Sequence, residues 1–113
     1  MNIIKNSLLL SSIIFANAYA CDNFNFTLHN LTGTNCKLTY KMSSVIESTP
    51  APQTLAKGQS FTANLKNKFN TNTSLWLDYS CENGYVYEVT IETGNKPIPQ
   101  KWCTFGVDIN LEK

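Results

Sequence analysis

Apolar side chains recur at every second position along most of the chain after residue 23, and this rhythm constrains the fold more than any other feature of the sequence. It is clearest in the runs Phe24–Leu28, Leu75–Cys81 and Tyr85–Ile91. A period of two is typical of a β-strand with one buried face, and no helical spacing is visible. Short strands of this kind, separated by polar loops, predict an all-β fold: a small antiparallel β-sandwich, or a partly closed barrel, of about six or seven strands.

The first two strands are expected to form a hairpin. Cys36–Met42 alternates in the same way as Phe24–Leu28, and the segment Thr32–Asn35 between them has the composition of a turn. In this arrangement Tyr40 and Met42 lie on the buried face, and the lysines of the second strand lie on the outer face.

A second hairpin is expected around the segment Glu82–Gly84. A two-residue turn would place Tyr79 opposite Glu88 and would mix polar and apolar side chains on both faces. A three-residue loop with Gly84 in the left-handed conformation places Tyr79 opposite Tyr87 instead, so that each face is uniform. We therefore expect the three-residue loop.

The remaining segments predict weaker or more irregular structure. Pro50 and Pro52 exclude a central strand, although Gln53–Ala56 could form a short edge strand. Phe61–Leu65 alternates again, and the polar segment Lys66–Thr73 is expected to be a surface loop. The last predicted strand turns five side chains inward: Cys103, Phe105, Val107, Ile109 and Leu111.

The first 20 residues have the organisation of an export signal. Lys5 supplies a positive start, Leu8–Ala16 supplies an apolar stretch, and Ala18–Ala20 supplies the small-x-small pattern before a cut after Ala20. A membrane anchor would need roughly 20 apolar residues, about twice the length of this stretch, and no comparable stretch follows. The prediction is a signal peptide over residues 1–20 and one domain over residues 21–113, secreted or periplasmic.

Four cysteines follow the predicted cut, which suits two disulfides in an oxidising compartment. Cys21 and Cys36 would stand at opposite ends of one strand, too far apart to bond. If Gln53–Ala56 is a strand, Cys36 pairs with Cys81 and Cys21 with Cys103; if it is not, Cys21 pairs with Cys81 and Cys36 with Cys103. Lipidation of Cys21 is an alternative, but it would leave one thiol unpaired. A zinc site is disfavoured because no closely spaced cysteine pair exists.

The charge of the chain excludes one class of partner. All nine basic residues are lysines, against eight carboxylates. Removing Lys5 with the signal leaves equal numbers of the two, so no long-range field would attract nucleic acid or an anionic membrane.

Two tryptophans and two carboxylates are the candidate functional residues. Trp76 and Trp102 fall opposite the inward-pointing sets, and exposed tryptophan is enriched in binding sites; the alternative is that long loops cover them. The predicted register also places Asp78 opposite Glu88 on the outer face, with Cβ atoms about 5 Å apart. Such a pair could serve a glycosidase, bind calcium, or form a solvated charged face. His29 is the only histidine and is expected at the surface.

One short stretch carries a resemblance. Tyr79–Gly84, with the sequence YSCENG, resembles the Tyr-x-Cys-x-x-Gly stretch of bacterial periplasmic lysozyme inhibitors, which are small exported β-barrels. The resemblance covers six residues and does not include the Ser-Gly inhibitory loop of that family, so no family is assigned.

The sequence therefore predicts an exported, non-enzymatic domain that binds a protein or a glycan, as a monomer and without a cofactor or metal. An envelope inhibitor or immunity protein against a lytic enzyme is one alternative. A glycan-active enzyme using Asp78 and Glu88 is a second. A subunit of a surface fibre is a third, and it would require an exposed edge strand able to accept another chain.

Overall fold

The computed structural model describes residues 2–9, 23–43, 51–66, 74–93 and 98–112. These residues form eight strands and one short helix, which divide between two sheets. The elements are β1 (Asn2–Leu9), β2 (Asn23–Asn30), β3 (Cys36–Ser43), β4 (Thr54–Leu55), β5 (Ser60–Lys66), β6 (Ser74–Cys81), β7 (Tyr85–Glu92), α1 (Gln100–Phe105) and β8 (Val107–Leu111).

The large sheet has the strand order β1-β7-β6-β3-β4, and the small sheet has the order β5-β2-β8. Two pairings are parallel, β1 with β7 and β2 with β8, and the others are antiparallel. The two sheets do not join into a closed barrel. The predicted all-β sandwich is confirmed, and seven of its eight described strands follow residue 20.

One apolar core lies between the sheets, because each sheet turns its alternating apolar side chains toward the other. Its most deeply buried members are Phe24, Phe26, Leu28 and Leu65 from the small sheet and Leu75, Leu77, Tyr79, Tyr87 and Ile91 from the large sheet.

The register predicted for β6 and β7 is confirmed. Tyr79 lies opposite Tyr87, and Asp78 lies opposite Glu88. Gly84 has φ +86°, the left-handed conformation that the three-residue loop requires.

The predicted hairpin of the first two strands is wrong. β2 pairs with β5 and β8 in the small sheet, whereas β3 belongs to the large sheet. The connection between them is a corner, and its backbone bonds lead away from β3: Asn30 N–H donates to the carbonyl oxygen of Gln59 at 2.9 Å, and Leu31 N–H donates to that of Leu111 at 2.9 Å.

Tyr40 and Met42 were predicted to point inward, and they do not. The pairing of β3 with β6 shifts by one residue between Leu38 and Tyr40, so that Thr39 forms a bulge. Because one extra residue reverses the alternation, the side chains that follow change faces. Tyr40 is 46% exposed and Met42 is 45% exposed.

The predicted last strand begins later than expected, since its first part is the helix α1. Pro99 precedes this helix, and Gly106 at φ +76° ends it by donating its N–H to the carbonyl oxygen of Trp102. The inward position predicted for Phe105 is therefore wrong, and of the two alternatives for Trp102 the covered one holds, although the helix and not a long loop buries it. Trp102 is 6% exposed and packs against Phe24 with ring centroids 5.3 Å apart, and Phe105 is 84% exposed.

The first predicted disulfide is confirmed: Cys36 and Cys81, directly opposite each other on β3 and β6, are bonded. The short strand β4 is present within the predicted edge piece, as this pairing required. Cys103 is also in a disulfide, and its predicted partner Cys21 lies outside the described residues.

The predicted signal peptide is described only in part. Its first residues form β1, whereas the predicted cut after Ala20 lies outside the described residues. Within the part of the chain that the structure describes, no helix has the length and apolar character needed to cross a membrane.

Candidate functional site

The outer face of the large sheet carries a group of exposed or half-buried apolar side chains that we call the aromatic patch: Tyr40, Met42 and Trp76, with Asp78 beside them. In the pairing of β3 with β6, Met42 lies opposite Trp76, and Tyr40 lies opposite Asp78. All four side chains therefore share one face of two neighbouring strands.

The indole ring of Trp76 is held in place from two sides. Its Nε1–H donates a hydrogen bond to Oδ1 of Asp78 at 2.9 Å. The indole also makes an edge-to-face contact with the ring of Tyr40, with the ring centroids 5.7 Å apart and the ring planes at 75°. Edge-to-face contacts of this kind favour one relative orientation. The patch is thus pre-organised, because its largest side chain is oriented without any partner.

Asp78 and Glu88 lie opposite each other, as the predicted register requires. Each carboxylate already has a neighbour: Asp78 accepts the hydrogen bond from Trp76, and Oε1 of Glu88 lies 4.0 Å from Nζ of Lys5. Nowhere in the described ranges do three His, Cys, Asp or Glu side chains meet as a metal site would require. No contact at this pair favours its use in glycan hydrolysis, which stays an untested prediction.

Trp102 does not belong to this site. It lies in α1 and packs into the core beside Phe24, on the small-sheet side of the molecule. Of the two predicted binding tryptophans, the structure therefore leaves only Trp76 in a position to meet a partner.

The outer face of the small sheet is polar. His29 lies on its central strand, where Nδ1 is 2.7 Å from Oγ of Ser60 and Nε2 is 3.5 Å from Oδ1 of Asp108. The three residue types are those of a serine-hydrolase triad, but Ser60 and Asp108 stand exposed on an open sheet face, where water competes for each group. Thr27 and Thr62 continue the row, with their hydroxyls 2.9 Å apart. This face is a ladder of cross-strand hydrogen bonds.

The fold and the site define a small disulfide-bonded all-β domain with an apolar patch on one outer face. No protein-family model matches the chain, and no curated protein is significantly similar to it.

Sequence reasoning missed Tyr40 and Met42 as surface residues, because it carried the two-residue period through β3 without interruption. A bulge adds one residue without any composition of its own, and Thr39 is an ordinary strand residue. The helix α1 had a usable signal, since Pro99 and Gly106 stand where a helix boundary places these residue types.

Proposed function

We propose that this chain is an exported, non-enzymatic binding domain that holds a protein partner on its aromatic patch. The observation that carries the proposal is the exposure of Tyr40 and Met42 beside the oriented ring of Trp76. Apolar side chains on an outer sheet face gain little from folding, so their placement there suits a contact made with another molecule.

The residue types of the patch favour a protein over a glycan. Tryptophan, tyrosine and methionine are enriched in the cores of protein interfaces, and the first two dominate binding hot spots. Sugar rings stack on flat aromatic faces, whereas the rings of Tyr40 and Trp76 stand at 75° and do not form one platform. Asp78 would lie at the polar margin of the same contact.

Export is the second part of the proposal, and two features support it. The first 20 residues have the organisation of a signal peptide. The bond between Cys36 and Cys81 is of a kind that persists in oxidising compartments and is rare in the cytosol. A secreted or periplasmic domain would form this bond as it folds.

The partner can be trapped on the patch by photo-crosslinking in producing cells. A photoreactive amino acid placed at Tyr40 or at Met42 should give an adduct of defined mass with one protein. The matched control is the same amino acid at Phe105, which is 84% exposed and lies outside the patch. Adducts that form only from Phe105, or equally from all three positions, would contradict the proposal.

The trapped protein then allows a quantitative test. Trp76→Ala should raise the Kd for the purified partner at least about tenfold, because hot-spot tryptophans contribute more than about 2 kcal/mol. Phe105→Ala should leave the Kd unchanged. If no protein is trapped, and glycans change the fluorescence of Trp76 instead, the partner class proposed here is wrong.

A further inference from the structure

One edge of the large sheet is covered by the first residues of the chain. All eight residues of β1 pair in parallel with all eight residues of β7, from Asn2 opposite Tyr85 to Leu9 opposite Glu92. β1 also contacts β8, one of the two edge strands of the small sheet, so it lies across the margin between the two sheets.

Two side chains of β1 show what this edge accepts. Ile4 lies opposite Tyr87 and packs, partly buried, against the apolar core. The next residue, Lys5, lies opposite Glu88, with its Nζ 4.0 Å from Oε1 of that residue. The edge therefore offers a backbone ladder, an apolar position at the core and an acidic position on the outer face.

The residues that cover this edge are the same residues that begin the predicted export signal. A cut after Ala20 would remove the whole of β1 and make β7 an edge strand. After that cut, two residues precede β2 at Asn23, too few to replace the eight residues of β1.

The composition of β7 is that of a strand paired on both sides. Natural edge strands are protected by Lys, Pro, bulges or short length. β7 has eight residues, contains no Lys or Pro, and consists mainly of β-branched and aromatic residues. The other edge of the same sheet, β4, has only two residues.

We propose that in the mature domain the β7 edge is a binding site for an extended segment of a partner protein, which adds as a parallel strand in the position of β1. The segment has an apolar residue at the position of Ile4 and a basic residue at the position of Lys5. The mode is strand addition, in which the backbone ladder supplies affinity and the alternating side chains supply specificity. This site lies on the sheet edge and goes beyond the contact proposed for the aromatic patch.

The test uses the mature protein purified from exporting cells and a fluorescent peptide with the sequence of residues 2–9, NIIKNSLL. Anisotropy should show saturable binding. The full chain, produced without export and refolded in an oxidising buffer so that its disulfides form, is the matched control, because its own β1 covers the edge. It should bind the peptide at least about tenfold more weakly.

A charge exchange tests the register. Glu88→Lys in the mature protein should weaken the peptide, and a peptide carrying Lys5→Glu should restore binding to that variant while binding the unchanged protein poorly. A peptide carrying Ile4→Asp should bind neither protein, because it places a carboxylate against the core.

Backbone methylation tests strand addition itself. In a parallel ladder, alternate residues of an edge strand direct their N–H groups toward the neighbouring strand, and the residues between them direct theirs away. One peptide N-methylated at residues 3, 5 and 7, and another at 4, 6 and 8, should therefore differ sharply: only one of them should lose binding. If the peptide instead bound through apolar side-chain contact alone, methylation would affect the binding of the two peptides to the same extent.

Several results would overturn the proposal. These are the absence of saturable binding, equal loss with both methylated peptides, or an intact mass showing that the exported protein keeps residues 1–9. A dimer of the mature protein that the peptide does not dissociate would also overturn it, because a second copy would then occupy the edge. Trp76→Ala should bind the peptide normally, so this site and the aromatic patch can fail independently.

Discussion

A single buried amide, that of Asn30, connects three segments at the corner where the chain leaves the small sheet. Its Nδ2 lies within hydrogen-bond distance of the carbonyl oxygens of Thr34, Leu55 and Ala56, at 2.8, 2.9 and 3.0 Å. Its Oδ1 accepts bonds from the N–H and the hydroxyl of Thr32, at 3.1 and 2.6 Å. The corner is therefore held by side-chain bonds that only an amide can supply, with donors on one atom and an acceptor on the other.

Replacing Asn30 should destabilise the domain strongly. Asn30→Ala removes the side-chain donor to three carbonyl oxygens and the acceptor for Thr32 at a buried position, which should lower the free energy of unfolding by about 3 kcal/mol. Asn30→Asp keeps the size and the bonds to Thr32, but directs an oxygen at three carbonyls, and should be at least as harmful at neutral pH. Urea unfolding measures both, with the exposed Asn110→Ala as the control. A loss below about 1 kcal/mol for both Asn30 variants would contradict this role.

The buried hydroxyl of Tyr79 should make the free energy of unfolding depend on pH in the alkaline range. Burial raises the pKa of its hydroxyl well above the ordinary value, and that hydroxyl donates to the carbonyl oxygen of Pro52 at 2.9 Å. Because the unfolded chain loses this proton first, the stability that Tyr79 contributes is complete below about pH 10 and declines as the pH rises further.

Tyr79→Phe should therefore change the shape of the stability curve as well as its height. At pH 7 the variant should lose about 1 kcal/mol, the value of one hydrogen bond. Above about pH 10 it should fall less steeply than the wild type, since no buried hydroxyl remains to ionise. Guanidinium unfolding at a series of pH values measures this, and Tyr40→Phe on the aromatic patch should follow the wild-type curve. Parallel curves for wild type and Tyr79→Phe would show that this hydroxyl is not responsible.

At the scale of the element, α1 separates two large side chains that a strand would have placed the other way round. Trp102→Ala should cost about 3 to 5 kcal/mol, because it removes a buried ring packed against Phe24. Phe105→Ala, three residues further along the same helix, should change stability by less than about 0.5 kcal/mol. Thermal unfolding of the two variants compares them directly. Similar losses would mean that the helix does not direct Trp102 into the core.

Single strands and their register could be predicted, because they depend on local chemistry. The pairing of β6 with β7 followed from one turn and the requirement that each face be uniform, and Gly84 adopts the conformation that this turn needs. The bulge at Thr39 could not be predicted in the same way, since one extra residue has no signature in composition. For the candidate site, the outward position of Trp76 was therefore foreseen, and those of Tyr40 and Met42 were not.

At the scale of the molecule, the sandwich was predictable and the assignment of strands to sheets was not. A two-residue period indicates that one face of a strand is buried, but it does not indicate which sheet covers that face. The chain passes from one sheet to the other between β2 and β3 at a corner held by the hydrogen bonds of Asn30. The sequence does not distinguish this corner from a hairpin, because a polar residue at the end of a strand is equally common in a hairpin turn. The pairing of Cys36 with Cys81 was still predicted correctly, because it depended on which end of a strand each cysteine occupies.

The bond between Cys36 and Cys81 should contribute a large part of the stability of so small a domain. It joins residues 45 apart in sequence, and the chain-entropy model assigns such a loop about 4 kcal/mol. The total free energy of unfolding of a domain this size is on the order of 5–10 kcal/mol. Cys36→Ala combined with Cys81→Ala should therefore remove about 4 kcal/mol, roughly half of the total, and lower the urea midpoint in the same proportion, while leaving the disulfide of Cys103 intact. The measurement is urea unfolding of the oxidised double variant, with the absence of free thiols checked by mass spectrometry. A loss of less than about 1 kcal/mol would mean that β3 and β6 are held together by their pairing and packing, with the sulfur bridge adding little.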